Sequence, residues 1–341
     1  MIQSLLYFFT IALVLACGKQ GPNGNTFNWN QNSGQGKGYI YVATDGGLSI
    51  SKDGGETYTN KTTENGLGNN TVNEVYVDNN DVIYAATDGG LSTSIDGGET
   101  FTNKITNTLY SSGEVTTSIV INSSGNLYVG TGGGLAISTD GGDSYSVKTS
   151  SQGLGSNSVS DVSIGNNNVI YAGTSGGLST SSDGGNSFTT KTTSNSNLSN
   201  NSVYHVFAAT DGVIYVAVNS IDGGLQVSTN GGTSFFQKTT ADGLAYNFIV
   251  GEIYKDSNNV LYVGTRVGLS ISTDEASSFS NRKIDQGLGS NKIVSIFVDS
   301  DKIYVGTEGG LSISTDGGNS FTNDTSADGL GHDKVNSVYV R

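Results

Sequence analysis

Apolar residues along this chain recur in short runs that are separated by turns rich in glycine and aspartate. In the unit 66–101, Val72, Val75 and Val77 predict a first strand, and the run 82–87 predicts a second. A paired-glycine turn leads to a third strand at 91–94, and an Asp-Gly-Gly turn leads to a fourth. Each unit therefore predicts four short antiparallel strands joined by tight turns.

This unit occurs seven times. The anchor leucines are Leu48, Leu91, Leu135, Leu178, Leu225, Leu269 and Leu311. They are separated by 43, 44, 43, 47, 44 and 42 residues, so one supersecondary unit is repeated with a period of about 43. Four-stranded sheets that bury both faces do so by radial stacking, and we predict an all-β fold, a seven-bladed β-propeller.

The two ends of the repeat region complement one another. Residues 38–44 read as a second strand without a first strand before it, whereas 334–340 read as a first strand without a second. We expect these strands to pair in one blade and close the ring, which leaves no blade with an open edge. An open solenoid is the alternative.

The first seventeen residues predict export. Residues 2–16 are mostly apolar, too few to span a bilayer but as long as a signal-peptide core. They end Val14-Leu15-Ala16-Cys17, which resembles a bacterial lipobox, and this implies cleavage after Ala16 and acylation of Cys17. We expect a signal peptide at 1–16, a Gly/Asn/Gln-rich flexible tether at 17–37 and the propeller at 38–341. The first four residues lack Lys and Arg, so an ordinary secretory signal and a cytosolic start are the alternatives.

The net charge of the chain indicates which classes of partner it can bind. The chain has a formal net charge of −14, which disfavours nucleic acid and anionic lipid headgroups and favours cationic ligands or basic protein surfaces. A lipid anchor would hold the protein on a membrane. We expect a monomer that binds an unknown protein or glycan and uses no cofactor.

Five units carry a Ser-x-Asp-x-Gly-x-Ser/Thr hairpin followed by an aromatic residue, as in residues 51–58, and the other two carry variants of it. This motif resembles the Asp-box of bacterial neuraminidase (BNR, sialidase/sortilin-type) repeats, and the rest of the unit resembles two-component-regulator-type propeller repeats. The resemblance implies a structural role for the box residue, which accepts backbone hydrogen bonds in its own hairpin. We expect looser hairpins in the fifth copy, which has Asn, and in the sixth, which lacks the glycines. The box residues are Asp53, Asp96, Asp140, Asp183, Asn230, Asp274 and Asp316.

The resemblance implies fold rather than activity, because such blades occur in sialidases, other glycosidases, receptors, assembly factors and sensor ectodomains. Only three arginines are present, and only Arg266 falls on the expected binding face, so the sialidase arginine cluster is missing. Two histidines and one cysteine make a zinc site implausible, and we predict no metal site and no catalytic residue.

Differences between the repeats indicate where a ligand could bind. The turns after the second strand and the loops before the first strand differ in sequence from repeat to repeat, and Tyr110 lies in one of these loops. The candidate ligand-binding face comprises Asp45, Asp88, Asn219, Tyr246, Arg266, Glu308 and His332. One first-strand position also varies and predicts a cation-attracting pore or, alternatively, a water-filled tunnel without a role. Its charged members are Glu74, Asp161, His205 and Glu252.

These observations predict an exported, lipid-anchored propeller of the bacterial cell envelope that binds a protein or glycan without catalysis. A glycoside hydrolase or lyase that uses Asp45, Asp88 or Glu308 is one alternative. The ligand-sensing module of a signalling system is another.

Overall fold

The structure, a computed structural model, describes residues 38–104 and 115–341. The predicted signal peptide, the tether with Cys17, and Tyr110 lie outside the described residues. Within them the chain forms seven antiparallel sheets of four strands, arranged as the blades of a propeller. The predicted fold class is confirmed.

The strands follow the repeated order of the sequence. They are β1 (Ile40–Thr44), β2 (Gly47–Ser51), β3 (Thr59–Lys61), β4 (Val72–Val77), β5 (Ile83–Thr87), β6 (Gly90–Ser94), β7 (Thr102–Asn103), β8 (Thr116–Ile121), β9 (Leu127–Thr131), β10 (Gly134–Ser138), β11 (Ser146–Lys148), β12 (Val159–Ile164), β13 (Ile170–Thr174), β14 (Gly177–Ser181), β15 (Thr189–Lys191), β16 (Val203–Ala208), β17 (Ile214–Val218), β18 (Leu225–Ser228), β19 (Phe236–Lys238), β20 (Ile249–Lys255), β21 (Leu261–Thr265), β22 (Gly268–Ser272), β23 (Ser280–Arg282), β24 (Ile293–Asp299), β25 (Lys302–Thr307), β26 (Gly310–Ser314), β27 (Thr322–Asp324) and β28 (Val335–Val340).

Helical segments in the described part of the chain are single turns. The one α-helical turn is α1 (Thr193–Ser196). The 3₁₀ turns are Thr63–Asn65, Ser150–Gln152, Asn166–Asn168, Thr240–Asp242, Ile284–Gln286 and Ser326–Asp328.

Blade 1 consists of β28, β1, β2 and β3, and blades 2 to 7 use β4 to β27 in consecutive groups of four. The first strands of adjacent blades contact one another around a central channel. We call the face that carries the turns between first and second strands the lower face. The upper face carries the turns between second and third strands and the loops into the next blade.

The ring closes by antiparallel pairing of the two chain ends. Tyr41 of β1 lies opposite Tyr339 of β28, and Val42 lies opposite Val338. The pairing extends past both strands, because Tyr39 N donates to the carbonyl oxygen of Arg341 at 2.7 Å. The predicted closure is confirmed.

The hydrophobic core is divided into layers between neighbouring blades. Strands β1, β2, β5 and β6 are buried on both faces, as are their equivalents in other blades, because a neighbouring sheet covers each side. In one such layer Leu48 and Ile50 of blade 1 pack with Val75 and Ile83 of blade 2. Each blade therefore depends on its neighbour for burial, which favours a closed ring.

The Thr-x-Gly-Gly turn on the upper face is explained by close backbone approach. Thr87 Oγ1 donates to the carbonyl oxygen of Gly90 at 2.7 Å and accepts from Gly89 N at 3.1 Å. A Cβ on Gly89 would lie 2.2 Å from the carbonyl oxygen of Gly68. Glycine is therefore required where this turn contacts the loop that enters the same blade.

The Ser-x-Asp hairpins on the lower face share one hydrogen-bond pattern. Ser94 Oγ donates to Asp96 Oδ1 at 2.7 Å, and the hydroxyl of Thr100 donates to Asp96 Oδ2 at 2.6 Å. These hydrogen bonds from side chains and backbone hold the pKa of the carboxyl well below its usual range. We call the residues with this lowered pKa the hairpin aspartates, namely Asp96, Asp140, Asp183, Asp274 and Asp316.

Our expectation that the fifth and sixth hairpins are looser is wrong. Asn230 Oδ1 accepts from Ser228 Oγ at 2.9 Å and from Ser234 N at 3.0 Å, because an amide oxygen can replace a carboxylate oxygen here. Asp274 keeps the full pattern. Glu275 and Ala276 take the glycine positions with φ of 59° and 64°, a left-handed conformation that costs non-glycine residues free energy.

Candidate functional site

The three carboxylates of the nominated upper face are held by neighbouring side chains. Asp45 accepts from Lys334 Nζ at 3.1 Å and from Asn336 Nδ2 at 2.8 Å. Partial burial opposes ionisation of Asp45, but these hydrogen bonds and the lysine charge lower its pKa. Asp88 accepts from an asparagine amide at 2.9 Å, and Glu308 accepts from a lysine at 2.6 Å.

The other four nominated residues lie around the same face. Asn219, Arg266 and His332 are exposed, and Tyr246 is half-buried. Asn219 N donates to the carbonyl oxygen of Ser202 at 2.7 Å. None of the seven nominated residues lines either of the two cavities that the described residues form along the channel.

Both cavities lie along the central channel. The wider one has a volume of about 660 Å³ and reaches the first turns of the lower face, and the narrower one, of about 200 Å³, lies on the upper side. Glu74, Asp161, His205 and Glu252 line both cavities, so they form a collar between them. The structure thus brings the four charged residues of the predicted pore together around the channel.

The three collar carboxylates each hold the next blade. Glu74 Oε2 accepts from Ile119 N at 2.7 Å, and Asp161 Oδ2 accepts from Val206 N at 2.9 Å. Glu252 Oε2 accepts a hydrogen bond at 2.8 Å from the backbone N–H of Ile296, which belongs to blade 7. The register of each first strand shifts near this level, and the carboxylates satisfy main-chain donors beside the shift. This bridging role was not predicted from the sequence.

His205 completes the collar beside a carboxylate. Its Nδ1 lies 3.6 Å from Asp161 Oδ2, and the two side chains are 27% and 18% exposed. Burial opposes a charge on the imidazole, but the neighbouring carboxylate of Asp161, together with the charge of Glu252, raises the pKa of His205. Protonation of this histidine as the pH falls therefore adds a positive charge to the channel, and the raised pKa places that change at a higher pH than for a free imidazole.

Below the collar, aromatic side chains on the first strands form an arc of rings in contact with one another. They occupy one equivalent first-strand position, opposite the second-strand tyrosine, in five consecutive blades. Ring centroids of successive members lie 5.2 to 6.0 Å apart at tilted angles. We call these side chains the aromatic arc, namely Phe207, Tyr254, Phe297, Tyr339 and Tyr76.

The arc is interrupted in blades 3 and 4, and the wide cavity lies there. The equivalent positions carry Val120, opposite Tyr128, and Ser163, opposite Tyr171. Both smaller side chains line the wide cavity. The opening of the channel therefore comes from two residues that leave the space an aromatic ring fills in the other blades.

Polar groups surround the mouth of the wide cavity. Asn166 belongs to the 3₁₀ turn of blade 4, and its Nδ2 donates to the carbonyl oxygen of Thr210 at 3.1 Å. Lys255 forms an ion pair with Asp211, and Asp256 lies in the adjacent turn. These groups give the mouth hydrogen-bond donors and acceptors from three blades.

In ranges 38–104 and 115–341, no group of three or more His, Cys, Asp or Glu side chains is placed to hold an ion. In the same two ranges, no helix has the length and apolar character needed to cross a membrane.

No family model and no curated protein matches the chain. Among solved structures, the bacterial surface component PorZ of the Porphyromonas gingivalis type-IX secretion system shares 15% identity over 77% of this chain and 42% of its own, with a TM-score of 0.61. YCF48 bound to D1 peptide shares 14% identity over 76% of this chain and 83% of its own, with a TM-score of 0.58.

The extracellular domain of BT4673 from B. thetaiotaomicron shares 19% identity over 87% of this chain. This chain covers only 48% of that domain, about half its length, with a TM-score of 0.45. The chain is similar in structure to β-propeller proteins. At these identities the similarity concerns the fold alone.

Proposed function

We propose that this protein is a non-catalytic binding module that takes its ligand in the wide cavity on the lower side of the collar. The observation that carries the proposal is the interruption of the aromatic arc at Val120 and Ser163. Aromatic side chains fill the equivalent positions in five blades, so the propeller fold itself does not require this opening. Retention of the opening is explained if a ligand occupies it.

The cavity has the size and lining of a ligand site. Its volume of about 660 Å³ falls within the usual range of roughly 300–1,000 Å³ for such sites. Tyr76, Phe207 and Tyr254 supply aromatic walls, while the collar and the Asn166 turn supply polar groups. Apolar walls with a few convergent polar groups are typical of specific binding.

A binding role fits the state of the carboxylates better than hydrolysis does. Glycoside hydrolysis requires two carboxyl groups at a set separation that are available to act as acid and as base or nucleophile. Asp45 and Glu308 are instead held by lysines, and Asp88 is bonded to an asparagine amide. The predicted hydrolase or lyase remains an untested alternative.

We further propose that the protein acts in the bacterial envelope, anchored through lipidated Cys17. This part of the proposal is supported by the apolar run 2–16 and the lipobox-like residues 14–17. PorZ, a bacterial surface component, shares the fold, and YCF48 is a propeller whose structure includes a bound peptide. A sensing role in a signalling system would use the same cavity.

The test is a glycan and peptide array probed with the full chain, purified in detergent, and with two phenylalanine variants. Val120→Phe fills the cavity, whereas Ser124→Phe places the same ring on an exposed turn of the same blade. We expect array ligands to be lost with Val120→Phe and kept with Ser124→Phe. Binding that survives Val120→Phe but is lost with Arg266→Ala or Glu308→Ala would instead place the site on the upper face and contradict the proposal.

A further inference from the structure

We infer that the ligand carries a positively charged nitrogen, an alkylammonium or guanidinium group, which the collar and the walls of the wide cavity hold together. This inference rests on the proposed function and names the chemical class of its ligand. Three independent features of the channel support it: its charge, its aromatic faces, and a buried hydroxyl group with no partner.

The lining of the wide cavity is strongly acidic. Five acidic residues face one lysine and one histidine, and Lys255 is already paired with Asp211. The collar carboxylates lie inside the channel, between the two cavities. The protein walls of the channel concentrate the electric field of these carboxylates more than a flat surface would. A cation that reaches the collar is therefore attracted, whereas an anion is repelled.

The walls suit a cation as well. Tyr76, Phe207 and Tyr254 line the cavity next to the collar, and the face of an aromatic ring attracts a positive charge within about 6 Å. An organic cation gains more from these walls than a small inorganic ion does, because its apolar stem also contacts the rings. An aromatic wall beside carboxylates thus favours an amine over a small hydrated metal ion.

A buried hydroxyl group without a partner lies beyond the collar, in the narrow cavity. Ser118 is only 3% exposed, its Oγ has no hydrogen-bond partner among the described residues, and it lines the narrow cavity with the collar. A buried polar atom without a partner costs free energy unless something occupies the adjacent space. Ammonium and guanidinium groups donate several hydrogen bonds, so one such donor can satisfy the Ser118 hydroxyl while its charge faces the collar.

The direct test compares probes that differ in charge but not in shape. Calorimetric titration of the full chain with n-butylammonium and with 1-butanol measures what the charge contributes. Acetyl-Gly-Lys-Gly-amide and its norleucine analogue distinguish a free amine from a side chain presented by a peptide. We expect each cation to bind at least about tenfold more tightly than its neutral counterpart, which corresponds to ~1.4 kcal/mol. Equal affinities within the pairs, or no binding of either cation, would overturn the inference.

Variants of the collar test where the cation binds. Glu74→Gln with Glu252→Gln removes two charges but keeps a side-chain oxygen for the N–H groups of Ile119 and Ile296. We expect this double variant to weaken n-butylammonium by about tenfold or more. The control Glu64→Gln, made on an exposed residue of an upper-face turn, should leave the affinity unchanged. Equal effects of the two changes would count against the collar.

The two proposals fail in different ways. If a neutral glycan or peptide binds and Val120→Phe abolishes its binding, the cavity is the ligand site but the inference about charge is wrong. If n-butylammonium binds equally well to Val120→Phe and to the wild type, the wide cavity is not its site and the inference is contradicted, whereas the proposed function is decided by the array ligands.

Discussion

Removal of the last strand should unfold the propeller, because that strand completes blade 1. Deletion of residues 335–341 takes away Val335, Val338 and Val340, which are 0%, 4% and 6% exposed. Burial of such a side chain stabilises by about 1.5–3 kcal/mol, so the three together contribute about 5 to 9 kcal/mol. The total stability of a protein is commonly 5–15 kcal/mol, so we expect the truncated chain to be largely unfolded at 25 °C.

Urea denaturation followed by far-ultraviolet circular dichroism measures this effect. A matched control inserts 335–341 and a short Asn-Gly turn between the tether and β1, which recreates the strand order of the other blades. We expect the rearranged chain to regain the native signal and a midpoint close to that of the wild type. A truncated protein with the wild-type midpoint would refute the closure of the ring by β28.

Three further predictions concern the lower-face hairpins and the collar. Glu275→Gly should stabilise the protein by about 0.5 kcal/mol, because glycine adopts the left-handed φ of this exposed position without strain. Gly317→Glu, at the equivalent position of blade 7 where nothing lies within 4 Å, should destabilise the protein by a similar amount. Thermal denaturation of the two variants measures both changes in stability. The lowered pKa of the hairpin aspartates stabilises the folded protein above pH 3.8, the pKa of an unfolded aspartate, and this stabilisation is lost progressively as the pH falls below that value. We expect the urea midpoint to fall over this range of pH. A midpoint that does not change with pH below 3.8 would contradict the prediction. The raised pKa of His205, which faces Asp161 and Glu252, predicts that n-butylammonium binds more weakly as pH falls and the imidazolium forms, and His205→Gln should flatten that profile in calorimetric titrations.

The architecture could be predicted because it repeats. A period near 43 residues, with half-blades at both ends, requires only that each unit pack on the next and that the last strand pair with the first. The fifth and sixth hairpins show the limit of this approach. An amide oxygen at Asn230 and left-handed φ angles at Glu275 and Ala276 preserve the hairpin geometry, and neither follows from matching a motif.

The candidate site was predicted only in part. Comparison of equivalent first-strand positions selected the collar, and the structure gathers its four charged side chains around the channel. The same comparison two residues further along would have found Val120 and Ser163 among aromatic residues, so the signal for the wide cavity was present. Its consequence depends on how rings from different blades fill the channel, which requires the fold.

The upper-face residues show why variable loops alone are a weak guide. Asp45 pairs with Lys334, a residue 289 positions away, and this contact exists only once the ring is closed. The sequence alone does not reveal this partner, so Asp45 reads there as a carboxylate available to a ligand. Its charge is in fact used within blade 1, where it helps to join the two chain ends.

Hydrogen–deuterium exchange with and without the tightest array ligand tests the location of the site most directly. Our account predicts slower exchange at 163–168 and 207–211, the parts of blades 4 and 5 that line the wide cavity, with no change at 45–47 and 266–268. Protection confined to 45–47 and 266–268 would place the ligand on the upper face and contradict the account.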